Sequence, residues 1–342
     1  MARLITLLAV LAALAVLVVG AAGWWAWHQL DRPGPASEAV VAQVDPGVPL
    51  ARIARSLERQ GVLSNALLFE WYGRVTGLAG QVRAGEYRFP PDSTPREVME
   101  RLVRGEVLLH ALTIVEGWTF REMRAALKAH PAVELTVDAL DGEAVMARLG
   151  RPGTAPEGWF LPETYRFPRG TSDLRLMELA HAAMEEALET AWSLRHDDLP
   201  LSSPYEALIL ASIIEKETAL PEERKQIAGV FTRRLDQGMR LQTDPTVIYG
   251  LGPEFEGRLR RVHLRTDTPY NTYTRHGLPP TPIALPGSAS LLASTQPGDG
   301  KALYFVATAR PDGSHYFSET LAEHNRAVQR YLETLRARRN EE

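Results

Sequence analysis

Cysteine is absent from all 342 residues. That excludes disulfides, a thiolate nucleophile and lipid attachment through a cysteine, and it suits a chain that does without covalent staples in an oxidising compartment. A dominant charge of one sign is also missing. There are 38 Lys and Arg against 42 Asp and Glu, for a net charge of −4, and the cations are scattered along the chain. Nucleic acid calls for a basic patch or stripe, so it is not an expected partner. Several standard catalytic signatures are lacking: G-x-S-x-G, H-E-x-x-H and G-x-x-x-x-G-K-[ST] do not occur, and the fragment GDGKA has neither the first glycine nor the closing hydroxyl residue of the last. His263, His276, His315 and His324 are dispersed without the spacing of metal ligands, so no metal and no cofactor is expected.

What is present begins with a long apolar run. Residues 4–27 read LITLLAVLAALAVLVVGAAGWWAW, with no acid, lysine or arginine before Asp31. A bilayer-spanning helix needs ~20 such residues. Trp24, Trp25 and Trp27 would sit at the far interface, where indoles are enriched. A cleaved signal peptide is the competing reading, with small residues at Gly20-Ala21-Ala22 for a cut site. The length of the run and the tryptophans favour a single-pass anchor. Either way the rest of the chain is expected outside the cytoplasm. DRPGPASE (31–38) reads as a short Pro- and Gly-rich linker.

Beyond it one pattern occurs twice. VDPGVPLARIARSL (44–57) aligns with IVEGWTFREMRAAL (114–127), pairing Gly47 with Gly117 and Leu57 with Leu127. GEYRFPPDSTPREVMERL (85–102) aligns with ETYRFPRGTSDLRLMELA (163–180), sharing Tyr-Arg-Phe-Pro. Each copy is a strand-like run, a glycine turn and a helix with apolar spacing i, i+3, i+7, later followed by an extended segment that stops at proline. The copies are either plain packing modules or small wall-binding units. The first resembles a LysM module through its V-x-x-G-x-x-L-x-x-I-A spacing.

The second half is organised differently. Ser203-Pro204-Tyr205-Glu206 is a capping box with proline at the first helical position, so a helix is expected from 204 to 218. It closes in ASIIEKET (211–218), two acids at the end of an apolar run. A further helix should stop at Gly238, followed by a long loop over 239–297. LYFVATARPDGSHYFS (303–318) reads as two strands about a Pro-Asp-Gly turn, and Thr320 caps a last helix. Loops of such length in compact domains are usually functional. On a helix, positions 215 and 217 point about 200° apart, so they cannot share a cleft. Glu215 continues the row Leu208, Ala211, Ser212, whose small members are expected to leave room for a substrate. Glu217 continues the bulky row Leu210, Ile213, Ile214. Near a helix C-terminus and beside apolar side chains, the uncharged acid is favoured at Glu215, as a general acid requires. Spacing alone equally allows both acids simply to pair with Lys216 and nearby arginines. The loop adds Gln242, Asp244, Tyr249, Asn271 and Tyr273, and EGWFLPETY adds Trp159, Glu163 and Tyr165. Amides, carboxylates and aromatic rings are the tools of sugar recognition. Asp244 is a candidate second carboxylate, although Asp before Pro is also a common turn former.

Through ASIIEKET, RLDQGMRLQTDPTVIYG, YNTY and GLPPTPIALPG, the chain resembles the YceG-like family over nearly everything after the linker. The resemblance implies an α+β protein with a transmembrane anchor at 1–28, a linker at 29–38, a LysM-like module at 39–107 and a mixed α+β catalytic domain at 108–342, whose part 108–185 holds the second copy of the repeat. It implies a bacterial inner-membrane lytic transglycosylase, its catalytic domain outside the cytoplasm. Such an enzyme cuts the bond between N-acetylmuramic acid and N-acetylglucosamine within nascent peptidoglycan strands, leaves 1,6-anhydro ends and so limits strand elongation. The family's catalytic glutamate falls on Glu215, which would act as acid and then as base. Gln242, Asp244, Tyr249, Asn271 and Tyr273, with Glu163, Tyr165 and Glu217 as weaker candidates, would hold the sugar or orient Glu215. At family level it implies peptidoglycan synthases as partners. A hydrolase using Asp244 and a non-catalytic wall-binding scaffold are the rival readings.

Overall fold

The apolar N-terminal run forms one helix, α1 (Ala2–Gln29), in the computed structural model, which describes residues 2–253, 255 and 257–341. Within it Thr6–Gln29 is the one stretch among the described residues long and apolar enough to cross a membrane, with a mean hydropathy of 2.5 and none of that window buried. The chain divides into two compact units, Met1–His110 with Arg166–Gly170 and Ala111–Tyr165 with Thr171–Glu342. Mixed α+β architecture holds in both, as the sequence suggests.

In the first unit β1 (Val40–Val44) runs antiparallel to β2 (Gly85–Phe89), with α2 (Leu50–Arg59) and α3 (Ala66–Val75) between them in sequence and α4 (Pro95–Arg104) after them. The spacing of Leu50, Ile53, Ala54 and Leu57 gives α2 one apolar face, which is buried. It packs into a core with Phe69, Tyr87, Phe89 and Leu102. A full capping box, Thr94 with Glu97, starts α4, and Gly105 in the left-handed region stops it. The segment expected to be a linker is laid down on this unit instead. Leu30 is fully buried, Asp31 pairs with Arg96 at 2.8 Å, and Gly34 N–H donates to the Ser93 carbonyl at 3.1 Å. A side chain at Gly34 would strike the Val62 carbonyl oxygen at 2.5 Å, so only glycine permits the approach.

The second copy of the repeat follows the same order: β3 (Leu109–Thr113), α5 (Phe120–Ala129), the two-residue strand β4 (Val133–Glu134), α6 (Gly142–Arg148), β5 (Thr164–Pro168), the two-residue strand β6 (Thr171–Ser172) and the long α7 (Asp173–Ser193). β3 pairs with β5, and β4 lies parallel to β6. Likeness between the copies reaches single bonds: Tyr87 donates its hydroxyl to the carbonyl of Arg83, and Tyr165 to that of Leu161, each four residues back and each at 2.8 Å.

The core of the second unit is built around α8 (Pro204–Glu217), in which every residue from Ala207 to Ile214 is buried. A 3-10 turn (Pro221–Glu223) leads into α9 (Arg224–Asp236). The stretch 239–297, expected as an unstructured loop, contains α10 (Asp244–Leu251), α11 (Arg261–Arg265) and α12 (Ser288–Thr295). Asp244-Pro245 therefore starts a helix rather than merely turning the chain. The hairpin of β7 (Tyr304–Ala307) and β8 (His315–Ser318) and the final α13 (Leu321–Glu341) complete the fold. One glycine is critical to this core. Gly158 has φ +86°, and a Cβ there would meet the Pro282 ring at 2.5 Å. Because that ring cannot rotate away, Gly158→Ala is expected to lower stability by about 1–3 kcal/mol, read as an earlier urea midpoint of the full chain.

Candidate active site

Ser203 caps α8 through a bond from Glu206 N–H to its hydroxyl, and Pro204 occupies its first turn. Burial along the helix carries Glu215 into the protein, where its side chain is 5% exposed. One carboxylate oxygen accepts from the Gly287 N–H at 2.9 Å. The other lies 3.5 Å from the Arg224 guanidinium, which also reaches Glu116 at 3.5 Å. Gly287 is the N-cap of α12, which has no side-chain cap of its own. The carboxylate of Glu215 thus fills a vacant donor at the positive end of one helix while standing at the negative end of another.

Glycines allow this close assembly. Gly117 N–H donates to the Leu285 carbonyl at 2.9 Å, Leu285 N–H returns a bond to Trp118 at 2.6 Å, and Lys216 Nζ donates to the Gly117 carbonyl at 3.1 Å. A side chain at Gly287 would overlap the Glu116 carboxylate and force it off Arg224. The Arg224 Nε is buried without a hydrogen-bond partner among the described residues.

The small residues on the Glu215 side of α8 serve a different purpose from the one expected. Ala211 and Ser212 are fully buried, and Ser212 Oγ accepts from Ile283 N–H at 3.0 Å while donating to the Ile209 carbonyl. Their small size admits the backbone of 283–287 and not a substrate, and that backbone delivers Gly287 to Glu215.

Glu217 has different surroundings. It accepts a 2.6 Å bond from the Thr243 hydroxyl. Burial pushes its carboxyl up, against the opposing effect of that bond, and the nearby Asp244 charge adds to the rise. Asp244 in turn accepts from the Tyr273 hydroxyl at 2.6 Å, and burial raises that phenol as well. Thr246 and Thr272 brace the same turn through their hydroxyls at 2.9 Å. Gln242 precedes it in the left-handed region, φ +50°, with its side chain exposed. A glutamine held there stores strain, a feature common at functional sites. Three of the expected substrate residues, Gln242, Asp244 and Tyr273, therefore gather with Glu217 and not with Glu215.

The remaining candidates separate. Tyr249 donates to Glu157 at 3.1 Å, and Phe120 N–H donates to the other Glu157 oxygen at 2.9 Å. Burial raises the Glu157 carboxyl to about 7, outweighing both bonds. The pair borders a cavity of about 450 Å³ shared with Thr119, Arg121, Ile248 and Phe255. Asn271 is 1% exposed. Its amide donates to the carbonyls of His263, Leu264 and Thr266, and its oxygen accepts from Tyr273 N–H, so it staples the loop and has no polar atom left for a sugar. Tyr165 is tied to Leu161 in the manner of Tyr87, and Glu163 is exposed, its carboxylate accepting from the N–H of its neighbour Thr164. Both bonds are local and structural. Reading the sequence missed Glu116, Glu157, Arg224 and Gly287. Glu157 opens the aromatic segment EGWFLPETY, and a carboxylate in such a run was the available signal.

A buried acid held by an arginine and a helix N-terminus, followed two residues on by Glu217 with its own turn of Thr243, Asp244 and Tyr273, makes the end of α8 a candidate carboxylate-based acid–base site. Comparison with known proteins narrows this. The family model of the YceG-like family matches residues 42–330, and the chain belongs to that family. A Bacillus subtilis (strain 168) protein called endolytic murein transglycosylase is 30% identical over 306 residues, covering 84% of this chain and 83% of that one. A Streptococcus pneumoniae protein of the same name is 26% identical over 331 residues, and here the match takes in 86% of this chain but 58% of the longer relative. A crystal structure of a yceG-like protein from Listeria monocytogenes is 31% identical, covering 84% of this chain and 99% of that one, with a TM-score of 0.47.

Proposed function

We propose that the protein is an endolytic peptidoglycan lytic transglycosylase in which Glu215 carries the chemistry. The observation that supports this most is the Glu215 carboxylate itself, buried at the end of α8 and aimed by Gly287 and Arg224, in a family whose relatives are named endolytic murein transglycosylases. Protonated Glu215 gives its proton to the oxygen joining N-acetylmuramic acid to the following N-acetylglucosamine, and the C1–O bond breaks. The C6 hydroxyl of the same muramic acid attacks C1 and returns its proton to the carboxylate. Bonds and protons balance without water, and the product is a 1,6-anhydro end. Arg224 and the Gly287 N–H stabilise the carboxylate during the step in which it is ionised. Gln242, Asp244 and Tyr273 hold the strand, with Glu217 supporting their turn.

The apolar α1 anchors the chain in the inner membrane and leaves the rest outside the cytoplasm. The first unit, with two helices between paired antiparallel strands, is read as a LysM-like wall-binding module. Mass spectrometry of peptidoglycan digested by the full chain tests the reaction. Anhydro-ended muropeptides are expected. Reducing ends in their place mean that water is the acceptor, and the transglycosylase reading then gives way to a hydrolase.

A further inference from the structure

The end of α1 is fixed to the first unit at one spot. The Trp27 ring meets the Tyr72 ring of α3 edge-on, 6.4 Å between centroids, and the Arg96 guanidinium lies over Trp27 at 4.8 Å. Leu30, one turn further on, is buried in the same core as Tyr72. α3 therefore lies immediately beside the point where the apolar helix ends. Its inner face, Ala66, Phe69, Tyr72 and Gly73, is buried. On the outer face stand Leu67, Trp71 and Val75, spaced i, i+4, i+8 and 77%, 44% and 64% exposed. Spacing of that kind places the three side chains in one row along about 12 Å of helix. The described residues leave all three exposed, and a soluble surface rarely keeps such a row without an occupant.

We propose that this stripe of α3 lies in the membrane interface, seating the first unit on the bilayer beside its own spanning helix. The occupant follows from continuity. If Trp24, Trp25 and Trp27 mark the interface at the end of the span, as indoles do, the Trp27–Tyr72 contact holds α3 at the same depth. Interfacial helices bury an apolar face about 5–10 Å into the headgroup and acyl boundary. Leu67, Trp71 and Val75 supply such a face. Arg74, its side chain 70% exposed, pairs with Glu70 one turn back, so the stripe is flanked by a neutral ion pair and its membrane affinity comes from the apolar side chains. The inference rests on the membrane reading of α1.

Because the chain has no cysteine, the test needs no background removal. Single variants Leu67→Cys, Val75→Cys, Val16→Cys and Arg104→Cys of the full chain are spin-labelled and reconstituted into phosphatidylethanolamine–phosphatidylglycerol vesicles. Relaxation by molecular oxygen, which partitions into lipid, is compared with relaxation by an aqueous nickel chelate. All four positions are exposed, so folding is not at stake. The ratio of oxygen to nickel accessibility is expected to be high at Val16, several-fold higher at Leu67 and Val75 than at Arg104, and low at Arg104. If Val16 reports lipid while Leu67 and Val75 match Arg104, the α3 seat is overturned and the anchor stands. Aqueous behaviour at Val16 sinks both. Labels at Leu67 and Val75 that are shielded from oxygen and nickel alike mean that protein covers the stripe, which also overturns the proposal.

Discussion

Glu215→Gln is expected to reduce glycan-strand cleavage by roughly 10²- to 10⁴-fold, the range for loss of a positioned general acid. Glutamine keeps the shape of the side chain and can still accept the Gly287 N–H, so the fold should tolerate it. What disappears is the transferable proton and the carboxylate that must take one back. Glu217→Gln provides the contrast. Its oxygen can still accept from Thr243, and the variant loses a buried titratable group that the proposed reaction does not use. Retained cleavage in Glu217→Gln alongside loss in Glu215→Gln fixes the acid. The reverse pattern would falsify the assignment and move the chemistry to the Thr243–Asp244–Tyr273 turn. The readout is the yield of anhydro-ended muropeptides per enzyme, with urea midpoints confirming that both variants are folded.

Glu157→Gln should make the protein more stable at high pH. In the folded state burial raises this carboxyl from 4.5 to about 7. A group raised on folding contributes stability that is fully present below its unfolded value and is lost as pH rises through its folded value. The window is therefore from about 4.5 to about 7, and the shift corresponds to an upper bound of about 3 kcal/mol at pH 8. Glutamine can accept from Phe120 N–H and meet the Tyr249 hydroxyl without ever ionising. Urea midpoints of the two proteins should draw together or cross between pH 5 and pH 8, with the variant gaining. A difference independent of pH would show that Glu157 is not a buried acid in solution.

Local signals in the sequence were read correctly where they were strong. Ser-Pro-x-Glu marks the start of α8, Pro-Asp-Gly marks the turn between β7 and β8, and helical periodicity separates Glu215 from Glu217, which have entirely different partners. The interval 239–297 was not legible as helices because α10, α11 and α12 have 8, 5 and 8 residues. Such pieces are too short for an apolar period to show, and packing rather than propensity forms them. Contacts of the candidate site were beyond reach for a related reason. Gly287 lies 72 residues from Glu215 and Glu116 lies 108 from Arg224, and no local rule specifies either pairing. The small face of α8 misled because small side chains admit a neighbouring backbone as readily as a ligand.

The two glycine turns have a consequence of a different kind. Gly47 and Gly117 occupy the same place in the repeat and the same backbone region, φ +74° and +78°. At Gly47 the space a side chain would fill is empty to 4 Å, whereas at Gly117 it is bordered by Lys216 and Glu215. The two turns of the repeat thus differ in duty: one keeps only its conformation, while its counterpart also walls Glu215. In mutational scans the first should then drift under conformational constraint alone, whereas at the second a side chain larger than alanine should also press on Lys216 and Glu215.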